Sequence, residues 1–172
     1  VAGFYDPDST TLYVLDDQPR AVLEPLLLHE LVHAVQDQWI DLEAATAMEL
    51  GNDRRLAALA AIEGHATFVM LEHTLAGMGG ASDLTQVDDF AALVGPALAG
   101  ARDQYPVLAA APRVIQESLL LPYLSGAGFV HSVWRARGAR TGDFESLIPT
   151  STEQVGQPER FLSTPPDAPT EV

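Results

Sequence analysis

The chain has 172 residues, enough for one compact domain, and 47% of them are hydrophobic, which excludes an intrinsically disordered protein. The formal net charge is −15 and all nine basic residues are arginine, so phosphate backbones are repelled and nucleic acid is excluded as an expected partner. The absence of cysteine excludes disulfides and zinc–thiolate sites. The longest apolar candidate for a membrane span, Ser118 to Trp134, is interrupted by Pro122, two glycines and His131, so no span is expected.

The first elements of the chain predict a β-hairpin. Gly3-Phe4-Tyr5 and Thr11 to Leu15 have the composition of short strands, and the segment Asp6 to Thr10 between them has turn residues. The chain begins at Val1 without an initiator methionine or a signal-type segment, so we expect a trimmed piece of a longer product.

Two long helices are predicted next. The run from about Leu23 to Ala45 has helical periodicity and many apolar residues, as a buried helix has. Gly51-Asn52 interrupts the pattern, and Asn52 is the expected N-cap of a second helix that continues to about Ala76.

The second half of the chain is also predicted to be helical. A shorter helix is expected from Ser82 to about Val94, and a long one from Pro112 to about Arg137, kinked or broken near Pro122. Thr141 and Thr150 are expected to cap two short terminal helices.

The proline-rich end, at about 163–172, is expected to be an extended tail. No repeat or linker interrupts the chain, so residues 1–172 are expected to form a single domain. Its predicted class is α+β, mainly α with a small β-hairpin.

The motif His29-Glu30-Leu31-Val32-His33 carries the most chemical information. On a helix, His29 and His33 point the same way and can share one metal ion, with Glu30 on the adjoining face. Two imidazoles, a third protein ligand and an open position form a catalytic zinc site, and Glu30 is placed to take a proton from the activated water. The motif lies in an apolar run, which disfavours a solvated surface face.

Glu63 is the preferred third ligand. It shares a helical face with apolar residues, where a carboxylate is costly unless it is paired or binds metal. Gly64 and Ala66 are small enough to let two helices approach, and a helix hairpin would set Glu63 opposite the two histidines.

Different roles for these residues are also compatible with the sequence. Glu63 can instead form a buried ion pair with Arg54 or Arg55. His65 is a rival ligand, although it lies about 200° around the helix from Glu63, so both cannot serve one ion. His73 is a weaker rival.

The segments His29 to Gln38 (HELVHAVQDQ), Glu63 to Ala66 (EGHA) and Ser151 to Gln154 (STEQ) resemble gluzincin-type zinc metallopeptidases, and more narrowly a bacterial group with HELxHAxQDQ, EGxA and STEQ segments. The resemblance implies a zincin-like core with an active-site helix and a glutamate-bearing helix. It also implies one Zn²⁺ ion held by His29, His33 and Glu63, with Glu30 as general base. In gluzincins a strand of the small sheet usually lies beside the cleft, where a peptide can pair with it.

The chain departs from that pattern at two positions. The third residue of EGxA is commonly acidic, and here it is His65. A histidine commonly precedes the proline after STEQ, and here that residue is Gln157. The second departure motivates a different hypothesis: a non-catalytic, peptidase-like metal-binding module that binds a peptide or protein partner.

Three further residues have candidate roles near the metal. Tyr123 is the first candidate donor to the developing oxyanion and His131 the second, although either can be an ordinary packed residue. Asp37 lies one turn after His33 and can hold a ligand imidazole, or it can be a surface charge. The expected function is zinc-dependent hydrolysis of peptide bonds in a peptide or protein substrate.

Overall fold

The computed structural model describes residues 3–16, 19–96, 106–140 and 144–168. Over these residues the protein is mainly helical with one two-stranded antiparallel sheet, which confirms the predicted combination of helices with a small hairpin. None of the helices in these ranges is apolar over a length that would cross a membrane.

The hairpin consists of strands β1 (Gly3–Asp6) and β2 (Thr11–Val14). They pair in antiparallel register with Tyr5 opposite Leu12. The Asp6 carboxylate stabilises the turn by accepting hydrogen bonds from two later turn residues. β1 contacts the first helix, so the hairpin is attached to the body of the protein on that side.

The first helix, α1 (Arg20–Gln36), begins after Pro19 and is shorter than predicted. The expectation of one helix from Leu23 to Ala45 is wrong beyond Gln36, because the chain turns and starts a separate short helix, α2 (Leu42–Ala45). Asp41 caps α2 by accepting a backbone N–H from its third residue. The turn lets Ile40 pack against the core.

The second long helix, α3 (Asn52–Gly77), has nearly the predicted bounds. Gly51, with φ +79°, is its N-cap, so Asn52 is the first helical residue rather than the cap. Much of its middle is buried alanine and glycine, and α3 contacts both α1 and the long helix of the second half.

The segment after α3 does not form the single helix predicted from Ser82 to Val94. It contains one 3₁₀ turn (Leu84–Gln86) and helical residues 90–96, here α4. The backbone N–H of Leu84 donates to the carboxylate of Glu72 on α3, at 2.7 Å. Tertiary hydrogen bonds therefore replace helical ones at the start of this segment.

The longest helix of the second half is α6 (Arg113–Arg137), preceded by the short α5 (Pro106–Ala110). It starts after Pro112, as predicted, and continues through Pro122 as one helix, so a break there is not found. It ends at Gly138, which has the left-handed φ of +65° that favours glycine.

The C-terminal part has a 3₁₀ turn (Phe144–Leu147) and two short helices, α7 (Thr152–Gly156) and α8 (Pro158–Leu162). The prediction that Thr150 caps a helix is wrong by one residue: the cap is Ser151, whose hydroxyl accepts the backbone N–H of Gln154 in α7 at 3.3 Å. The other predicted cap, Thr141, lies outside the described residues.

Residues 163–168 of the expected tail form neither helix nor strand. Their Asp167 is bonded to the body of the protein, since its carbonyl accepts from the Gln154 side chain at 2.6 Å and its carboxylate pairs with Arg160. Residues 169–172 lie outside the described ranges.

Helices α3 and α6 meet at a pair of glycines. A Cβ added to Gly64 would lie 2.1 Å from the carbonyl carbon of Gly126, and one added to Gly126 would lie 2.0 Å from the carbonyl oxygen of Ala60. No side chain fits at this crossing. Gly64 therefore permits a close approach, but toward α6 rather than toward the histidine-bearing α1.

Candidate metal centre

Helices α1 and α3 pack side by side and bring His29, His33 and Glu63 together. The Nε2 atoms of the two histidines are 3.1 Å apart. Glu63 Oε2 lies 3.1 Å from the first and 3.4 Å from the second. Among the described residues, these three have side chains that can bind a metal ion and ligand atoms that all lie within 4.8 Å of one another.

The spacing of these atoms fits a metal ion. Bonds of about 2.0–2.1 Å in a tetrahedral zinc site place neighbouring ligand atoms about 3.3–3.4 Å apart, close to the three distances found. Hydrogen bonds alone satisfy these three atoms poorly, because each ring N–H points in one direction and donates to one acceptor. A cation between them can accept a lone pair from each of the two imidazole nitrogens and from the carboxylate oxygen. The His–His–Glu triad can therefore hold one metal ion.

The electrostatics of the triad favour an ionised carboxylate. Burial raises the pKa of Glu63, but hydrogen bonds from His29 and His33 outweigh it and hold the pKa at about 2. Burial lowers the pKa of His33, yet the hydrogen bond and charge of Glu63 raise it overall. The site thus presents a negative charge that attracts cations.

The triad remains reachable from solvent. The side chains of His29 and His33 are each 12% exposed and that of Glu63 is 21% exposed. A catalytic metal site needs such an opening, because its last coordination position takes water or substrate.

Glu30 is buried beside the triad and bonded to the hairpin. Its Oε2 accepts the backbone N–H of Tyr5 at 2.9 Å. Its negative charge contributes to the raised pKa of His33, so the carboxylate lies within electrostatic range of the centre. The predicted general base is therefore held at the site by strand β1.

Tyr123 reaches the centre from α6. Its ring centroid lies 6.2 Å from that of His29, and the side chain is half-exposed. Burial, followed by the charges of Glu63 and Glu30, raises the pKa of its hydroxyl, which stays protonated and able to donate. The expected helix break is not what positions it, since α6 is continuous there.

The rival ligands lie elsewhere. His65 stacks on Phe144 and is not one of the three converging ligands, and burial together with the charges of His33 and Arg140 lowers its pKa to about 4. His73 is exposed, 4.0 Å from a carboxylate oxygen of α1.

Arg55 and His131 take no part in the centre. Arg55 donates to the carbonyl of Thr46, whereas Glu63 pairs with the two histidines. His131, the second candidate oxyanion donor, stacks on Phe90 and bonds the carbonyl of Val87 at 3.0 Å, as a packed core residue does.

Asp37 does not hold a ligand imidazole. Its carboxylate accepts the hydroxyl of Tyr5 at 2.8 Å, which ties the hairpin to the end of α1. The residue beside His33 is instead Gln36, whose Oε1 lies 2.8 Å from His33 Nδ1. The sequence contains a signal for Gln36: at about 100° per residue it lies on the side of α1 that carries both histidines, whereas Asp37 lies on the side of Glu30.

The comparison with known proteins found no relative of this chain. No model of a protein family matches the chain, and no curated protein or solved structure matches it at a significant level.

Proposed function

We propose that this protein is a zinc-dependent hydrolase that cleaves peptide bonds, with His29, His33 and Glu63 as the ligands of one Zn²⁺ ion. The observation that carries the proposal is the triangle of ligand atoms at tetrahedral spacing, with the Glu30 carboxylate beside it. On this proposal α1 is the active-site helix and α3 the glutamate-bearing helix of a zincin-like core.

Two imidazoles and one carboxylate suit zinc among the biological metals. Zinc accepts nitrogen and oxygen ligands, and sites with three protein ligands and an open position are typical of catalysis rather than of structural support. When bound, zinc supplies the Lewis acidity that lets water attack a carbonyl near neutral pH.

The residues of the chain supply the remaining chemistry. Glu30 takes a proton from the attacking water as its oxygen bonds to the carbonyl carbon, and delivers that proton to the leaving nitrogen as the C–N bond breaks. The Tyr123 hydroxyl donates a hydrogen bond to the carbonyl oxygen as negative charge develops there.

Strand β1 supports a peptide as the substrate. Because the N–H of Tyr5 bonds to Glu30 on α1, this edge of the hairpin faces the centre. An extended peptide that pairs with the edge would carry its carbonyl groups past the metal.

The second candidate is a metal-binding module that holds a peptide without cleaving it. Two observations favour it. One oxygen of Glu30 already accepts a backbone N–H of the hairpin, so the carboxylate has a structural role in addition to any catalytic one. Gln157, at the position where the resemblance expects a histidine, is exposed and bonds to Arg160 within its own segment.

Metal analysis and a cleavage assay separate these possibilities. We expect one zinc per chain in protein purified without added metal, and cleavage of a mixed-sequence peptide library that a chelator abolishes and zinc restores. One zinc per chain with peptide binding but no cleavage supports the module. Protein without zinc, and with no affinity for added zinc, contradicts both.

A further inference from the structure

We propose that Gln36 is a positioning residue that fixes the tautomer of His33, so that the proton lies on Nδ1 and the lone pair of Nε2 faces the metal. This inference rests on the proposed function for the identity of the metal centre. It assigns a role to a side chain outside the ligand triad, on the last turn of α1.

The carbonyl of Ile62 orients the Gln36 amide. Gln36 Nε2 lies 2.9 Å from this oxygen, and a carbonyl oxygen can only accept. The amide atom beside it must be the NH₂ group, which fixes the other amide atom as the oxygen.

The amide oxygen then determines the protonation of His33. Gln36 Oε1 lies 2.8 Å from His33 Nδ1 and can only accept, so Nδ1 must carry the hydrogen. In a neutral imidazole the other nitrogen then has a lone pair. That nitrogen, Nε2, is the atom that lies 3.4 Å from Glu63 Oε2 in the triad.

His65 uses the second hydrogen of the amide. Its Nδ1 lies 2.9 Å from Gln36 Nε2 and accepts, which assigns the proton of His65 to Nε2. The ring of His65 is held between Phe144, on which it stacks, and Trp134, whose edge it meets. The acceptor that completes the Gln36 network is therefore itself fixed by packing.

Burial makes this network exclusive. Gln36 is 1% exposed, and both of its N–H groups and its oxygen have a protein partner. Turning the amide over would place its oxygen against the Ile62 carbonyl, where both atoms can only accept. The contact between two oxygens at Ile62 cannot be relieved by any histidine tautomer, so the arrangement with the NH₂ group at Ile62 is favoured.

Nitrogen NMR of the histidine rings tests the assignment directly on the wild-type full chain, both as purified and after chelation. We expect the proton of His33 on Nδ1 and that of His65 on Nε2. A His33 Nδ1 that carries no proton, or a metal bond through Nδ1, overturns the proposal. The measurement needs no enzymatic activity.

Two substitutions extend the test to metal affinity, measured by competition with a chelator. Gln36→Leu removes the acceptor, and we expect zinc affinity to fall by about 10- to 100-fold. Gln36→Glu loses the bond to Ile62, which lowers stability, but keeps an acceptor for His33, so we expect it to retain the Nδ1–H tautomer and more of the zinc affinity than Gln36→Leu. The matched control is Gln38→Leu, because Gln38 is exposed and bonds the carbonyl of Ala34.

The outcomes separate this inference from the proposed function. Wild-type protein that binds no zinc contradicts the function, while the ring spectra still decide the tautomer. Zinc-binding protein in which Gln36→Leu and Gln38→Leu have equal affinities contradicts the role of Gln36 alone. If Gln36→Leu does not fold, Gln36→Glu and the wild-type spectra decide the question.

Discussion

The backbone N–H of Tyr5 donates a hydrogen bond to Glu30 Oε2 at 2.9 Å, and this bond joins the hairpin to the proposed general base. The hydroxyl of the same tyrosine donates to Asp37 at 2.8 Å. Tyr5 therefore contacts α1 both within the HExxH motif and just beyond the helix end. The position of β1 and the orientation of the Glu30 carboxylate are coupled through this one residue.

The first prediction concerns Glu30 itself. Glu30→Gln keeps the size of the side chain and an oxygen that can accept from Tyr5, but removes the base. We expect unchanged zinc content and a fall in kcat of about 10²- to 10⁴-fold, the usual contribution of a general base. Metal analysis and a peptide-cleavage assay on the same preparation measure both.

Glu24→Gln is the matched control for this change. Glu24 lies on the same helix, is exposed, and is far enough along α1 to leave the triad untouched. We expect wild-type cleavage. If the Glu30→Gln variant cleaves peptide as fast as the Glu24→Gln variant, Glu30 is not the general base.

The second prediction concerns the anchoring of the hairpin. Tyr5→Phe removes the bond to Asp37 and leaves the backbone N–H, so we expect β1 to separate from α1 more often. Amide hydrogen exchange at residue 5 should quicken, and kcat should fall by less than it does in Glu30→Gln. Tyr13→Phe on β2 is the control, since Tyr13 is exposed and stacks on Phe4. Equal exchange in the two variants would show that the hydroxyl does not anchor the hairpin.

The third prediction tests the ligand set. Glu63→Gln removes the charge that makes the triad attractive to a cation, and we expect zinc affinity to fall by more than about 100-fold, beyond the loss expected when only a supporting residue is changed. Glu49→Gln, an exposed acidic residue outside the centre, should bind zinc like the wild type. Retention of zinc by Glu63→Gln would mean that another group completes the site.

The fourth prediction concerns the proposed donor to the oxyanion. Tyr123→Phe removes one hydroxyl from the edge of the centre and leaves the ring in place near His29. We expect kcat to fall by about 10²- to 10³-fold with zinc affinity unchanged. Steady-state kinetics of Tyr123→Phe and Tyr13→Phe on one peptide make the comparison. If only KM changes, Tyr123 binds substrate in its ground state and does not stabilise the transition state.

The triad could be predicted because the histidine pair follows from local helix spacing, and because a carboxylate on an apolar face is energetically costly unless it has a partner. The four-residue spacing of His29 and His33 needs only helix geometry, and an apolar helical face makes Glu63 conspicuous. The partner of His33 is harder to predict, because a carboxylate such as Asp37 is the commoner partner of a ligand imidazole. Helix geometry places Gln36 on the side of the two histidines and Asp37 on the side of Glu30, but it does not show which other element packs against each side.

The same limit explains the misplaced helix ends. Apolar periodicity continues past Gln36 through Trp39 and Leu42, yet the chain turns there and Trp39 remains exposed. The sequence feature that indicates a new helix is the cap residue Asp41. A single cap residue is weak evidence against a long run of apolar periodicity. After α3, the backbone of Leu84 bonds to Glu72, a partner that no local rule identifies.

The last prediction concerns the crossing of α3 and α6 at Gly64, the residue that follows Glu63. Carbon atoms in contact are normally about 3.5–4.0 Å apart, but a Cβ on Gly64 would lie 2.1 Å from the backbone of Gly126. Gly64→Ala must therefore push the helices apart. We expect the free energy of unfolding to fall by about 1–3 kcal/mol or more, by chemical denaturation.

Gly77→Ala on the same helix separates this steric effect from the helix propensity of alanine. A Cβ at Gly77 meets nothing within 4 Å, so the change should be neutral or should stabilise the protein by at most about 1 kcal/mol. Because Glu63 directly precedes Gly64, the shift of α3 should also move its carboxylate relative to the histidines. Zinc affinity should then fall in Gly64→Ala and not in Gly77→Ala. A Gly64→Ala protein that keeps both its stability and its zinc affinity would show that this crossing does not position the triad.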